Sequence, residues 1–504
     1  MRRRRGGVLA ALLLLPAAAA ARMPPPAIGT LRVCDDVKEP ATLDPLKEFS
    51  EKNHVVIQQI FDGLVRIGPD GALEPALATS WKWLDDRTLQ FKLRPGVRFH
   101  DREPFDAQAV RFSLQKYLDP AEGYPGAGFL RSIDRVEVVD PMTVRIHTKF
   151  PDGILLNKLA GLITMLPPRY FSEHGEAYFA AHPVGTGAFR FLRRVPGRRL
   201  ILAANPDYWM KGYPRFARLE FLFMPVPEQV RALLDGRTDI VTELPGTQTL
   251  RVMRSGVATV VKKASFYTAG SSINISSGPL SDVRVRRAIN YAIDRSALVR
   301  YDLLGNGEPL ASLTMAGEVG HDPTLRPYPY EPRRAISLLR QAGYPHGLRL
   351  SVVVKAQGER TMKVLAAQLR EVGIRLDVHP TTDATVIRDI HSRPWDFTFG
   401  NCSDPMAHSY FVQWIFLSSQ SPFSITRSPR FDALLRRMVE AVDPAEQQRR
   451  GEELDRYVYD QALSVFTYKR IRTYGVRKGI HFVPSVTGMP YFYLTTHDDA
   501  GASR

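Results

Sequence analysis

The stretch RFHDREPFDAQAVRFSL, Arg98 to Leu114, gathers one histidine, two aspartates, one glutamate and three arginines within seventeen residues. Such a set could hold a metal or run acid–base chemistry. Its setting assigns it to the fold instead. Upstream, Leu89, Phe91 and Leu93 alternate with polar residues as in a half-buried strand, and Asp85-Asp86-Arg87 and Pro95-Gly96 are turn signals. Asp106 stands where a helix N-cap belongs, its carboxylate placed to accept from the orphan amides of the first turn. Phe105 and Val110 have the spacing of a hydrophobic staple, and Val110, Leu114, Tyr117 and Leu118 share one helical face behind it.

Three further patterns fall short of chemistry. GTGAFR, Gly185 to Arg190, lacks the glycine spacing of a dinucleotide loop and runs into a strand-like AFRFL. SLQK, Ser113 to Lys116, matches S-x-x-K, but the K-T-G partner is absent and Ser113 lies inside the capped helix. The twelve histidines include no H-E-x-x-H and no H-x-H, and no C-x-x-C exists. No catalytic residue, metal or cofactor is assigned. An exported hydrolase stays open as a rival, because dispersed carboxylates carry no spacing signature.

The segment WDFTFGNCSDPMAHSYFVQW, Trp395 to Trp414, is of another kind. DFTF reads as a short strand and GNCSDP as a turn, with Tyr410, Phe411 and Trp414 following. A polar strand-end turn beside aromatics suits a ligand. It equally suits a plain turn over an aromatic core, and the residues alone leave both open.

The elements that must position these residues alternate between helix and strand, the pattern of an α/β protein. PEQVRALLDGRTDIV is a helix stopped at Gly236 and followed by a strand. RTMKVLAAQLREVGIRLDV repeats the scheme with Gly373, and RRAISLLRQAG is a further capped helix. A length of 504 residues implies two or three domains.

FDGLVRIGPDGALEPALATSWKWLDDRTLQFKLRPGVRFHDREPFDAQAVRFSL resembles the signature of the family 5 extracellular solute-binding proteins, the peptide- and nickel-binding components of ABC importers. PVGTGAFRF, NPDYW, VPEQVRALLDGRTDIV, DVRVRRAINYAIDRSALV and YPYEPRRAISLLRQAGYP continue the resemblance in order, over about residues 30 to 485. It implies a two-lobed periplasmic-binding fold (type II, cluster C-like) with a third, smaller inserted domain and a ligand cleft between the lobes. Lobe I would comprise 28–70, 184–268 and 476–498, the inserted domain 71–183 and lobe II 269–475. The function implied is capture of a short peptide or similar small solute, without catalysis, by a monomer that delivers it to membrane permease subunits and, through them, to ATPase subunits. A nickel or other metal chelate is the alternative ligand.

By the same resemblance, the turn carrying Asn401 and Asp404, with Tyr410 and Trp414, borders the cleft. Peptide-binding members commonly have Asp at the position of Asn401, where it pairs with the peptide's α-ammonium. The nickel-binding relative has His directly after the D-P pair, where this chain has Met406, with His408 two residues on. Either the ligand lacks a free α-amine, or Asp404 supplies the missing charge. Asn274 at a lobe II strand, Lys355, Gln357 and Arg360 at another strand end, and His54 in the loop LKEFSEKNH complete the expected lining.

The N-terminus, with Arg2–Arg5, apolar Val8–Leu15 and a small-residue run, reads as a signal peptide over 1–21, cleaved or kept as an anchor. It places the protein in the periplasm. The formal charge of +16 falls to 16 − 4 = +12 without Arg2–Arg5, and is scattered rather than gathered in a stripe, which argues against nucleic acid. Cys34 and Cys402, the two cysteines, could pair in an oxidising compartment.

Overall fold

The computed structural model describes residues 29–35 and 38–498; the expected signal peptide lies outside them. Eleven strands form one sheet. Its order runs Ile374–Thr381, Leu348–Lys355, Phe397–Ser403, Ala258–Ile273, Tyr468–Arg477, Ile240–Val241, Thr30–Cys34, Arg218–Leu222, Arg199–Ala204 and Phe189–Val195, and Gly307–Pro309 pairs with Tyr468–Arg477. Two long strands in the middle hold the halves together. Ala258–Ile273 pairs antiparallel with Tyr468–Arg477 from Ala258 to Ala264, breaks register, and then pairs with Phe397–Ser403 from Tyr267 onward.

A second, four-stranded sheet is antiparallel and lies within 71–183. Its order is Ala78–Asp85, Thr88–Leu93, Thr143–Thr148, Ile133–Asp140. Leu89, Phe91 and Leu93 point into its core. The helix Ala107–Leu118 packs on this sheet, and its cap is Asp106: one carboxylate oxygen accepts from Gln108 N–H at 2.8 Å and Ala109 N–H at 3.1 Å. Asp106→Ala should therefore lower stability by about 0.5–2 kcal/mol, read as a fall in the thermal midpoint, with solute affinity unchanged. A collapse of affinity at constant midpoint would mean the residue serves a site.

His100 is structural as well. Its ring bridges the GTG turn, with Nδ1 accepting from Gly185 N–H at 3.3 Å and Nε2 3.0 Å from the Gly187 carbonyl oxygen. Burial pushes it down to about 4, so the ring is neutral. The turn itself lies against Ile60, where a Cβ on Gly187 would stand 2.5 Å from a backbone carbon. Ser113 is likewise buried, donating to the Ala109 carbonyl at 2.6 Å and accepting from Leu166 N–H at 2.8 Å.

One element differs from expectation. GNCSDP is not a turn from its first residue: the strand Phe397–Ser403 runs through Gly400, Asn401 and Cys402, and the chain turns only at Asp404. The partner strand is the reason. Ala269 faces Asn401 and Tyr267 faces Ser403, so the ladder holds the first four residues of GNCSDP in the strand. Cys34 and Cys402 are both free thiols.

Candidate functional site: the cleft over the two long strands

Two adjoining cavities of about 300 and 400 Å³ share Glu243, Tyr267, Gln357, Asn401 and Arg470 and form one cleft. Volumes of this order suit a small solute. The floor comes from the two long strands: Tyr267 from one, Arg470 and Arg472 from the other. As alternate residues of a strand, the two arginines leave by the same face. Their guanidinium carbons sit 5.2 and 5.7 Å from the Tyr267 ring centroid. One wall is the first turn of the helix Glu51–Ile60, capped by Ser50, which presents Glu51 and Lys52. Asp35 and Glu243 stand beside it. The opposite wall presents Asn401, Gln357, Arg360 and Asp302.

The charges are matched. Arg472 donates to Glu51 at 2.5 Å and to Glu243 at 3.0 Å, while Arg470 donates to the other Glu243 oxygen. Burial acts against the charge on Arg472, but Glu51 and Glu243 outweigh it and hold the guanidinium firmly protonated. Burial likewise pushes Glu243 up, and Arg470 and Arg472 bring it below the usual carboxylate range. Glu51 also accepts from the Ser403 hydroxyl at 2.6 Å, tying the helix to the opposite strand. Gly488 closes the net from below; a Cβ there would stand 2.3 Å from the Arg472 guanidinium carbon. Across the cleft, Arg360 lies 3.3 Å from Asp302.

The expected lining divides. Asn401, Gln357 and Arg360 meet in the cleft, with Asn401 Nδ2 donating to the Gln357 carbonyl at 3.3 Å. Lys355 lies just behind, ion-paired with Asp383. Asp404 does not turn into the cleft: it is fully buried, its oxygens accepting from Met406 N–H at 2.8 Å and His408 N–H at 2.6 Å, because a chain leaving its strand must cap the freed amides. Asn274 sits beyond the strand's end, five residues past Ala269, which is roughly 17 Å along a strand. There it organises a turn with Ser276 and Ser277. His54 is buried on the inner face of its helix, three residues beyond Glu51, beside Asp62 and Thr164. Tyr410 and Trp414 line a separate cavity with Arg131 and Lys158.

Glu51, Tyr267, Glu243, Arg470 and Arg472 were not singled out in the sequence. Only YKRIRTY carried a signal, two arginines flanked by Tyr468 and Tyr474 on one face of a strand. Among the described residues, no group of three or more His, Cys, Asp or Glu could hold a metal ion, and no helix is long and apolar enough to cross a membrane.

Residues 72–423 match the model of the bacterial extracellular solute-binding proteins, family 5, middle region, and the chain belongs to that family. Curated relatives include the glutathione-binding protein GsiB of Pectobacterium atrosepticum. It is 29% identical over 344 residues, 67% of this chain and 66% of its own length, so the match spans about two thirds of that relative. The GsiB of Escherichia coli O157:H7 is 29% identical over 345 residues, 67% of either chain. Among solved structures, the periplasmic binding protein AgaA of A. tumefaciens R10, in complex with agropinic acid, superposes with a TM-score of 0.79 at 24% identity, covering 93% of this chain and 99% of that one. The ABC transporter-associated periplasmic binding protein DppA of Helicobacter pylori, in complex with the peptide STSA, gives 0.80 at 22% identity over 93% and 98%. The fold is therefore the two-lobed α/β fold of periplasmic binding proteins, with the cleft over the strands that join the lobes.

Proposed function

We propose that this chain is the exported, non-catalytic capture component of an ABC importer. It takes a short peptide, or a solute the size of glutathione, into the cleft and passes it to a membrane permease. The observation that carries the reading is the charge balance of the cleft. Lys52, Arg360, Arg470 and Arg472 face Asp35, Glu51, Glu243 and Asp302, four cations against four anions. Such a lining suits a zwitterion, whose two ends can each meet an opposite charge. The peptide-bound and glutathione-binding relatives support the ligand class, and the basic, then apolar, then small-residue N-terminus supports export to the periplasm. Asn401, Gln357 and Arg360 would form the lobe II side of the contact, with Tyr267, Arg470 and Arg472 beneath. On this reading lobe I comprises 28–70, 184–268 and 476–498, lobe II 269–475 and the inserted domain 71–183, so that both lobe boundaries would fall within the two long strands of the shared sheet.

Native mass spectrometry of freshly purified protein should show a retained solute of peptide mass, and glutathione or an alanine tripeptide added to the stripped protein should bind and be recovered intact. Turnover of either would replace this reading with a hydrolase. Asn401 supplies no charge and Asp404 faces inward, so on this reading the ligand's ammonium meets the acids of the cleft, and N-acetylation of the tripeptide should weaken calorimetric affinity by about tenfold or more. Equal binding of the two forms would remove the amine end of the ligand from this reading.

A further inference from the structure

A cavity of about 540 Å³ lies away from the cleft, between the second lobe and the inserted domain. Its walls are aromatic: Tyr410 and Trp414 from the helix Tyr410–Leu417, and Phe150 from the inserted domain. Leu435 and Val439 of the helix Pro429–Val439 close one side. Tyr410 and Trp414 are 4% and 7% exposed, and the tilted packing of Phe129 on Trp414, 4.6 Å between centroids, fixes the Trp414 ring.

Several donors around this space lack an acceptor. Among the described residues, the Tyr410 hydroxyl and the Trp414 indole N–H have no hydrogen-bond partner, and Arg131 and Arg436 have no ion pair. Lys158 is buried beside them, held 2.6 Å from Asp152, with its ammonium 5.1 Å from the Tyr410 ring centroid. Of the two acids in the lining, Asp432 is occupied as an acceptor by Ser419 N–H at 3.1 Å and the Ser418 hydroxyl at 3.4 Å. Glu440, the C-cap of its helix, has no ion pair among the described residues and stands one turn from Arg436, so the donors left to a ligand are Arg131, the Tyr410 hydroxyl and the Trp414 indole. Unmatched donors above flat apolar walls fit an acceptor-rich anion on a planar body.

We propose that this cavity is a second binding site, separate from the solute cleft, for a small aromatic carboxylate. The ring would lie between Trp414, Tyr410 and Phe150. The carboxylate would take hydrogen bonds from Arg131 and from the free hydroxyl and indole groups. Neither the cleft nor its ligand enters this inference, so it stands or falls independently of the importer reading.

The test uses the full mature chain and indole-3-acetate as the probe, followed by calorimetry and by tryptophan fluorescence. Indole-3-acetate should bind, and tryptamine, with the same ring and opposite charge, should bind at least about tenfold more weakly. Arg131→Gln, a change at an exposed side chain, should weaken indole-3-acetate by about tenfold and leave tripeptide binding in the cleft unchanged. A saturating alanine tripeptide should not displace the probe. The proposal is overturned by absence of probe binding to the wild-type protein, by equal binding of tryptamine, by an unaltered Arg131→Gln affinity, or by displacement with the tripeptide.

Discussion

Arg472→Met should destabilise the protein by about 3 kcal/mol, the lower end of the cost of breaking a buried ion pair. The arginine side chain is 9% exposed and is the shared partner of Glu51 and Glu243. Methionine keeps much of the volume and removes every donor, so Glu51, at 15% exposure, is left beside an apolar chain. Glu243 is 37% exposed and retains Arg470, which keeps the cost from reaching the upper end of the range. The fall should appear as a lower midpoint in chemical denaturation, and the double variant Glu51→Gln, Arg472→Met should recover part of it, because the stranded charge is gone. An unchanged midpoint in Arg472→Met would show that the net contributes nothing to folding.

The second large effect is on pH dependence. Glu318 and Asp404 are both buried and are electrostatic neighbours beneath the turn that follows Asn401, with one Glu318 oxygen accepting from Met315 N–H at 2.6 Å and the other left without a partner. Burial, and then the neighbouring Asp404, raise Glu318 well above the usual range, against a smaller opposing pull from Lys469; burial raises Asp404 to about 7. The folded state therefore keeps a proton that the unfolded chain gives up near ordinary carboxylate pKa values. This contribution is fully present below those values and is lost as the pH rises through the folded pKa. It falls by about 1.4 kcal/mol per pH unit for one retained proton. His54, His100 and His408, each lowered to about 4 by burial, act with the opposite slope below the ordinary histidine range. Glu318→Gln leaves those histidines in place, so the difference between the two stability curves isolates the carboxyl pair. The wild-type curve should descend relative to that of Glu318→Gln between about pH 5 and pH 7. Parallel curves would mean that no proton is shared.

The sequence and the structure agree where local signals are strong. The cap at Asp106, the alternation Leu89-Phe91-Leu93 and the helix stops at Gly236 and Gly373 all depend on neighbours within a few residues. They diverge where a distant segment decides. Asn401 lies in a strand because Ala258–Ile273 extends past it, a fact that no window around GNCSDP contains. His54 and Glu51 share one loop in the sequence, but in the helix that Ser50 caps Glu51 lines the cleft while His54 is buried beside Asp62 and Thr164. Asp404 looked free in a polar turn, yet the amides of Met406 and His408 claimed it. The Glu51–Arg472–Glu243 net joins segments about 190 to 420 residues apart, from local sequence patterns that look like solvated surface.

The two thiols bear on a practical matter. Burial raises Cys34 to about 11, and Cys402 is raised further by burial, then by Asp404. A thiol attacks labelling reagents through its thiolate, so these raised pKa values, together with burial, slow labelling of the native cysteines at neutral pH. Thr247 is exposed at the edge of the cleft, one residue from Gly246, which lies beside Leu304. Thr247→Cys would thus carry a fluorophore at one position without first stripping the chain of its own sulfur, and the dye would sit at the mouth of the cleft, where an entering solute would alter its surroundings. The architecture is in that sense already a chassis for an optical sensor of its own ligand.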